Sequence, residues 1–167
     1  MQSSASWRLM QASDLPAVMQ IAAQVHPGYP EDLAIFAERQ QLYPQGCWIR
    51  QQASHICGYL VSHPWQLGMP PSLNSLLQAL PSRATTYYLH DIALLSSARG
   101  ANAAGDILAQ LYAQAAHERL DNLSLIAVNR SLRFWQRQQF QAANHLVPAA
   151  KLQSYDRAAS YMVRTLA

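Results

Sequence analysis

The spacing of apolar and polar residues predicts that strands and helices alternate along the chain. Segments with apolar residues at helical spacing predict helices over 15–25, 30–42, 103–119 and 131–138, and a short leucine-spaced helix within 66–84. Short apolar runs rich in β-branched and aromatic residues predict strands over 7–10, 47–50, 55–62, 86–95, 123–128 and 160–166. The first half is hairpin-like, with a polar turn at 51–54, so the pattern favours an α/β (α+β) fold with a mixed sheet.

Length and composition predict a single folded domain over residues 1–167. Half of the residues are hydrophobic and 13% are charged, which excludes the polar composition of a disordered chain. The net charge of +3 is the balance of 12 basic and 9 acidic residues, and Lys151 is the one lysine among the basic residues. They form no run interleaved with aromatic residues, so we expect no nucleic-acid partner.

No N-terminal targeting pattern and no apolar stretch of about 20 residues occurs, so we expect a cytoplasmic protein without a membrane partner. The two cysteines, Cys47 and Cys57, lack the paired spacing of a zinc site. We therefore expect buried free thiols and no metal. The sequence does not fix the oligomeric state, and a homodimer stays an open alternative.

The segment from Tyr87 to Ala115, YYLHDIALLSSARGANAAGDILAQLYAQA, carries the strongest functional signal. An apolar strand leads through a small Arg-Gly loop into an alanine-rich helix. Small residues at a helix start allow close approach to unpaired N–H groups, which suits an anion such as a phosphate. The loop has neither GxxxxGK[ST] nor GxGxxG, which argues against nucleotide hydrolysis and dinucleotide binding.

This segment resembles the GNAT superfamily of acetyl-CoA-dependent N-acetyltransferases, whose pattern is L-A-V-x-P-x-x-R-G-x-G-x-G/A. Ile92-Ala93-Leu94 match the strand end, Arg99-Gly100 match the arginine and first glycine, and Ala104 matches the last small residue. Ser96 stands at the usual proline and Asn102 at a usual glycine, although Asn tolerates a left-handed backbone. The resemblance implies a mostly antiparallel twisted sheet flanked by helices. It also implies that the strand end holds pantetheine and the loop holds pyrophosphate, through Ile92, Ala93, Leu94, Arg99, Gly100, Ala101, Asn102, Ala103 and Ala104.

The later segment LSLIAVNRSLRFWQRQQF resembles the family's V-x-N-x-x-A-x-x-F-Y-x-K-x-G-F. Phe134, Arg137 and Phe140 are in register, and Asn129 lies one residue closer to the helix than the pattern asks. The resemblance implies that Asn129, Phe134 and Trp135 line the cofactor cleft. Trp135 stands at the usual tyrosine, which in many members protonates the leaving thiolate, and an indole N–H cannot replace that acid.

The candidates for catalysis lie on the strand that carries the cofactor. The family's frequent catalytic glutamate falls near Tyr88, so the usual base is missing. His90 is the preferred base, directly or through a water, because histidine titrates near neutral pH. Asp91 is the other base candidate. Strict alternation would put Tyr88, His90 and Ile92 on one face and Asp91 on the other, unless the strand has a bulge. A structural histidine and a loop-capping aspartate are the alternatives.

Two further segments are candidates for binding the acceptor. His26 and Tyr29 lie in the connection between the first two helices, and His63 and Trp65 end a strand beside the cofactor strand. The alternatives are a surface loop for the first pair and a turn for the second.

Together these features predict transfer of acetyl from acetyl-CoA to a primary amine by direct attack in a ternary complex. The acceptor is a small-molecule or peptide amine. The alternatives are an acyl-CoA-binding module with weak or no catalysis, and transfer of a longer acyl group.

Overall fold

The computed structural model describes residues 4–100 and 102–167. Within these ranges, seven strands form one sheet: β1 (Ser6–Leu9), β2 (Cys47–Gln52), β3 (His55–Trp65), β4 (Thr86–Leu94), β5 (Asn122–Ala127), β6 (Gln141–Ala142) and β7 (Ser160–Thr165). The α-helices are α1 (Leu15–Val25), α2 (Leu33–Leu42), α3 (Ala103–His117), α4 (Leu132–Arg137) and α5 (Ala149–Gln153).

The strand order is β1-β2-β3-β4-β5-β7-β6. Neighbouring strands are antiparallel except β4 and β5, which are parallel. The predicted α/β fold with a mixed, mostly antiparallel sheet is therefore confirmed.

Each face of the sheet is covered by helices through a separate apolar core. On one face, α3 buries Ile107, Leu108 and Leu111 against strand residues such as Leu123. On the other, α1 and α2 bury side chains that include Val18 and Phe36 against the opposite face of β2 and β3. Full burial of each such side chain stabilises the fold by about 1.5–3 kcal/mol, so both faces hold the sheet rigid beneath the site.

A β-bulge interrupts the alternation of side chains along β4. Val61 pairs with Asp91, but the next residue, Ser62, pairs with Leu89, so His90 is the extra residue. His90 and Asp91 consequently both reach the α1–α2 face, where they contact Glu31 and His26. The strict alternation that separates His90 from Asp91 is wrong for this strand, because the inserted residue shifts the pattern by one. Ile92 instead packs against the core beneath α3.

The connection between β3 and β4 contains no helix, which corrects the predicted short helix within 66–84. Its backbone has positive φ at Asn74 and Gln78, with values of 56° and 69°. The carboxylate of Glu38 on α2 accepts hydrogen bonds from the backbone N–H groups of Leu77 and Gln78. These bonds take the place of the backbone bonds that a helix would make here. Leucine spacing alone does not produce a helix where a neighbouring element offers better partners.

Among the described residues, no helix has the length and apolarity needed to cross a membrane. The part of the chain that the structure describes also holds no cluster of three or more His, Cys, Asp or Glu arranged for a metal ion. Cys47 and Cys57 are buried free thiols.

Candidate active site

A cleft opens where the parallel strands β4 and β5 separate. They pair only at Tyr87 with Leu123 and at Tyr88 with Ser124, while β5 stays paired with β7 along its length. From Leu89 onward the edge of β4 therefore has no strand partner on the β5 side. The gap forms a cavity of about 600 Å³, which falls in the size range of small-molecule and cofactor sites.

The loop after β4 shapes the mouth of this cavity. A 3₁₀ turn at Ser96–Ala98 is followed by Gly100 with φ 96° and by Asn102 with φ 56°, which is the N-cap of α3. Asn102 thus adopts the left-handed conformation expected of a residue that replaces glycine. The side chain of Asn102 lies over Gly105, where an added Cβ would approach its Oδ1 to 2.2 Å.

The first turn of α3 faces the cavity with small residues. Ala103, Ala104 and Gly105 all line it. The first N–H groups of a helix have no partner in a preceding turn, and here that of Ala103 donates to the Gly100 carbonyl oxygen at 3.1 Å. Arg99 also lines the cavity, with an exposed side chain whose Nε donates to the Leu94 carbonyl at 3.3 Å. This mouth offers positive charge and N–H donors to an anion.

The opposite wall comes from the end of β5 and from α4. Asn129 lies there with its amide 3.5 Å from the Val25 carbonyl oxygen, and Trp135 is buried edge-to-face against Phe134 and Phe140. The structure brings the described members of the predicted cofactor set to one cavity: Ile92, Ala93, Leu94, Arg99, Gly100, Asn102, Ala103, Ala104, Asn129, Phe134 and Trp135. Ala101 lies outside the described residues.

A smaller pocket of about 60 Å³ adjoins the inner end of the cleft. His26, His90 and Asp91 line both spaces, so these side chains stand at the junction. Ile126 and Val128 also line both spaces, and the remaining lining of the small pocket comes from Tyr29, Glu31, Leu73, Tyr88 and Tyr155. A group held in the small pocket would therefore meet the end of a ligand in the cleft.

His90 and Glu31 form the first of two histidine–carboxylate pairs at this junction. Nε2 of His90 lies 2.8 Å from Oε1 of Glu31, and the other carboxylate oxygen accepts from the Asn74 N–H at 2.9 Å. Burial raises the pKa of Glu31, but the charge of His90 and its hydrogen bond outweigh burial and hold that pKa below its ordinary value. Glu31 is therefore an ionised acceptor that orients the His90 ring.

His26 and Asp91 form the second pair. Nε2 of His26 lies 3.0 Å from Asp91 Oδ1 and 3.1 Å from the Ile92 carbonyl oxygen, and the hydroxyl of Tyr59 donates to the other Asp91 oxygen. Burial opposes both charges, but the mutual hydrogen bond and attraction raise the pKa of His26 and lower that of Asp91. Because both oxygens of Asp91 are occupied, its carboxylate is better placed to position His26 than to accept a proton from a substrate.

The predicted acceptor residues separate into two groups. His26 and Tyr29 line the small pocket, and the Tyr29 hydroxyl donates to Asp156 at 2.5 Å. His63 and Trp65 line neither space. His63 is buried, its Nδ1 is 3.0 Å from the Pro64 carbonyl oxygen, and burial lowers its pKa to about 3.

Trp65 packs edge-to-face against His63 and donates its indole N–H to the Met69 carbonyl. Tyr88 does line the small pocket, and burial raises its pKa well above the ordinary value, so its hydroxyl stays protonated.

Sequence reasoning missed five pocket residues: Glu31, Leu73, Ile126, Val128 and Tyr155. Glu31 follows Pro30 at a predicted helix start and was interpreted only as part of that start. Its position five residues after His26 in a short connection is the one available signal. Leu73 and Tyr155 reach the pocket through long-range packing, which leaves no local pattern.

No protein-family model and no curated protein sequence matches the chain significantly. Solved structures do match. The loading GNATL domain of CurA from Lyngbya majuscula superposes with a TM-score of 0.81 at 12% identity, over 98% of each chain. Ard1 from Thermoplasma volcanium gives 0.73 at 14% identity, again over 98% of each chain.

Naa50 from Arabidopsis thaliana, in complex with the bisubstrate analogue CoA-Ac-MVNAL, gives a TM-score of 0.70 at 10% identity, over 96% of this chain and 97% of that one. The chain therefore has the fold of the GNAT superfamily of acetyltransferases, as the sequence resemblance predicted.

Proposed function

We propose that the protein is an acyl-CoA-dependent N-acyltransferase that moves acetyl from acetyl-CoA to a primary amine by direct attack in a ternary complex. The main support for this proposal is the continuous cleft between β4 and β5, which runs from the small residues at the start of α3 to the two histidines paired with carboxylates. The fold and the bound CoA analogue of the Naa50 structure support the same ligand.

In this proposal the coenzyme lies along the free edge of β4. The pyrophosphate sits at the N-terminus of α3 near Arg99, where helix-end N–H groups and a guanidinium stabilise it. The pantetheine arm adds to β4 beside Ala93 and Leu94 as an extra strand would. The thioester then points toward the junction of the cleft and the small pocket.

His90 is the proposed base that takes a proton from the attacking amine, directly or through a water. Since Glu31 is an acceptor, Nε2 of His90 carries a proton, and the neutral ring has its lone pair on Nδ1. Glu31 fixes that tautomer and stabilises the imidazolium that forms. General base catalysis of this kind contributes roughly 10²–10⁴-fold to a rate.

The amine nitrogen attacks the thioester carbonyl, and the negative charge that develops on oxygen is stabilised by a backbone N–H at the end of β4, such as that of Leu94. The C–S bond then breaks. Thiols ionise near pH 8.5, so the thiolate leaves without an acid, and Trp135 need not replace tyrosine. Asp91, His26 and Tyr59 form a separate paired network that positions the His26 ring.

The alternative from another class is a module that binds acyl-CoA without turnover. Two departures from the family pattern motivate it. Trp135 stands where many members have the tyrosine that acts as the acid, and Tyr88 stands near the position of the usual catalytic glutamate. Transfer of a longer acyl group is a further alternative, because the cleft is large and the GphF GNAT-like decarboxylase, a fold neighbour, is in complex with isobutyryl-CoA. Homodimer formation and a cytoplasmic location stay predictions.

Release of free CoA thiol, followed with a chromogenic disulfide, tests the proposal. We expect amine-dependent release from acetyl-CoA, exceeding that from isobutyryl-CoA, and a loss of roughly 100-fold in kcat for His90→Ala. His63→Ala is the matched control, since His63 lines neither space. Tight binding of acetyl-CoA without release for any amine would favour the binding module. An unchanged rate for His90→Ala would remove His90 as the base.

A further inference from the structure

The small pocket defines the chemistry of the acceptor, if the proposed acyl transfer is correct. It adjoins the cleft at the two paired histidines, so the attacking nitrogen would have to lie at this junction. The properties of its other lining side chains then limit what the rest of the acceptor can be.

Hydrogen bonds within the protein occupy the donor groups of most polar side chains around the pocket. The hydroxyl proton of Tyr29 goes to Asp156, and that of Tyr155 goes to the Pro71 carbonyl. Each hydroxyl oxygen can then only accept from a ligand. The Nε2–H groups of His26 and His90 are likewise directed to carboxylates. These groups therefore suit a ligand that brings N–H donors.

The charged side chains of the small pocket also disfavour a carboxylate on the acceptor. The lining includes the ionised carboxylates Glu31 and Asp91, and no Arg or Lys is among its described residues. The nearby buried cation, Arg39, bonds to Glu38 and to the Ser75 carbonyl and does not line the pocket. Protonated His26 neutralises Asp91, so a carboxylate on the acceptor would face the charge of Glu31 beside a neutral His90, with no Arg or Lys in the described lining to offset it.

Hydrogen bonds also fix the segments around the pocket. Three hydrogen bonds join segments that are distant in sequence: Asn74 N–H to Glu31, Lys151 to Ser72, and Tyr155 to the Pro71 carbonyl. A volume of about 60 Å³ holds on the order of four to six non-hydrogen atoms, at about one water-sized probe for each 10–15 Å³. This size suits a short amine and is too small to enclose a peptide.

We propose that the acceptor is a small aliphatic amine that carries no carboxylate, and that amino acids and peptides are rejected. Isopentylamine is a suitable probe, because leucine has the same skeleton with a carboxylate added. A tetrapeptide with a free N-terminus completes the panel.

The experiment compares kcat/KM for the three acceptors with acetyl-CoA at saturation. We expect kcat/KM for isopentylamine to exceed that for leucine and for the tetrapeptide by at least about 100-fold. An uncompensated like charge lowers affinity by several factors of ten. Leucine or peptide turnover equal to that of isopentylamine would overturn the proposal.

A binding measurement separates this proposal from acyl transfer itself. Calorimetric titration of isopentylamine and of leucine into protein saturated with CoA needs no turnover. Selective binding of isopentylamine supports the pocket assignment even if no acceptor is acetylated. Equal binding of leucine, or no binding of isopentylamine to the CoA complex, overturns it.

Leu73 supplies a second variant, because it is an apolar wall of the pocket. Leu73→Arg adds a guanidinium that a carboxylate can pair with, and Leu73→Gln is the uncharged control. We expect the ratio of leucine to isopentylamine kcat/KM to rise about tenfold or more in Leu73→Arg and to stay unchanged in Leu73→Gln. A ratio that does not move in Leu73→Arg would contradict the claim that the missing cation causes the rejection.

Discussion

Nε2 of His90 lies 2.8 Å from Oε1 of Glu31, and 7% and 5% of the two side chains are exposed. The pair joins two elements distant in sequence, since His90 is the bulged residue of β4 and Glu31 precedes α2. Glu31 also accepts from the Asn74 N–H, so one carboxylate ties the proposed base to the β3–β4 connection.

Glu31→Gln should lower kcat by roughly 100-fold, because the amide can no longer stabilise the imidazolium that forms on His90. The acetyl-CoA Kd should stay unchanged, since Glu31 does not line the cleft. Steady-state kinetics and calorimetric titration measure the two quantities. In the double variant with His90→Ala the loss should be far from additive, because the two residues act as a unit.

Glu38→Gln is the matched control for this carboxylate. Glu38 also accepts N–H groups of the β3–β4 connection, at Leu77 and Gln78, but does not contact His90. An equal loss of kcat in Glu38→Gln would mean that Glu31 acts only by anchoring the connection.

Gly105→Ala should weaken acetyl-CoA binding by about tenfold while raising the free energy of unfolding. The added Cβ would meet Asn102 Oδ1 at 2.2 Å, so the side chain at the cavity mouth must move. Alanine in a helix is favoured over glycine by about 0.5–1 kcal/mol, which gives the opposite effect on stability. Gly28→Ala, where no atom lies within 4 Å of the added Cβ, is the control. An unchanged Kd in Gly105→Ala would mean that the position of the Asn102 side chain does not affect acetyl-CoA binding.

His63→Phe should remove a loss of stability at low pH. Burial lowers the pKa of His63 to about 3 in the folded state, whereas the unfolded side chain takes up a proton near pH 6.5. Wild-type protein therefore loses up to about 1.4 kcal/mol per pH unit relative to the variant as pH falls from 6 to 4. Urea unfolding at several pH values measures this difference. Parallel curves for the two proteins would mean that His63 is protonated in the fold.

His26→Gln should show the opposite pH dependence. The pKa of His26 is raised and that of Asp91 is lowered. The pair therefore makes its full contribution to the free energy of unfolding between about pH 4 and 6.5. This contribution decreases as pH rises through the pKa of His26 in the folded state. We expect the variant to be destabilised by about 1–3 kcal/mol at pH 5.5 and by less at pH 9. A larger destabilisation at pH 9 would refute the ionic pairing of His26 with Asp91.

Local patterns predicted the elements that build the cleft. An apolar run predicted a strand over 86–95, where β4 lies, and the alanine-rich segment after Asn102 predicted α3 with its first residue. Asn102 was also expected to take a left-handed backbone, which its φ of 56° confirms. These features follow from interactions between residues that are close in sequence, which a sequence pattern records.

Features that depend on distant partners were not predicted. The bulge at His90 arises from the pairing of β3 with β4, and it places Asp91 on the same face as His90. The pairing of Glu31 with His90 spans 59 residues. The helix expected within 66–84 is absent because Glu38 bonds to its backbone. In each case a tertiary contact determines the outcome.

Thermal unfolding with and without acetyl-CoA tests the central claim, that the β4–β5 cleft holds acyl-CoA, most directly. At about 100 times the Kd, binding should add roughly 2.7 kcal/mol to the free energy of unfolding, which raises Tm by about 5–10 °C. ATP and NAD at the same concentration should leave Tm unchanged. A shift with acetyl-CoA alone is the predicted result, and no shift, or an equal shift with ATP and NAD, would contradict the claim.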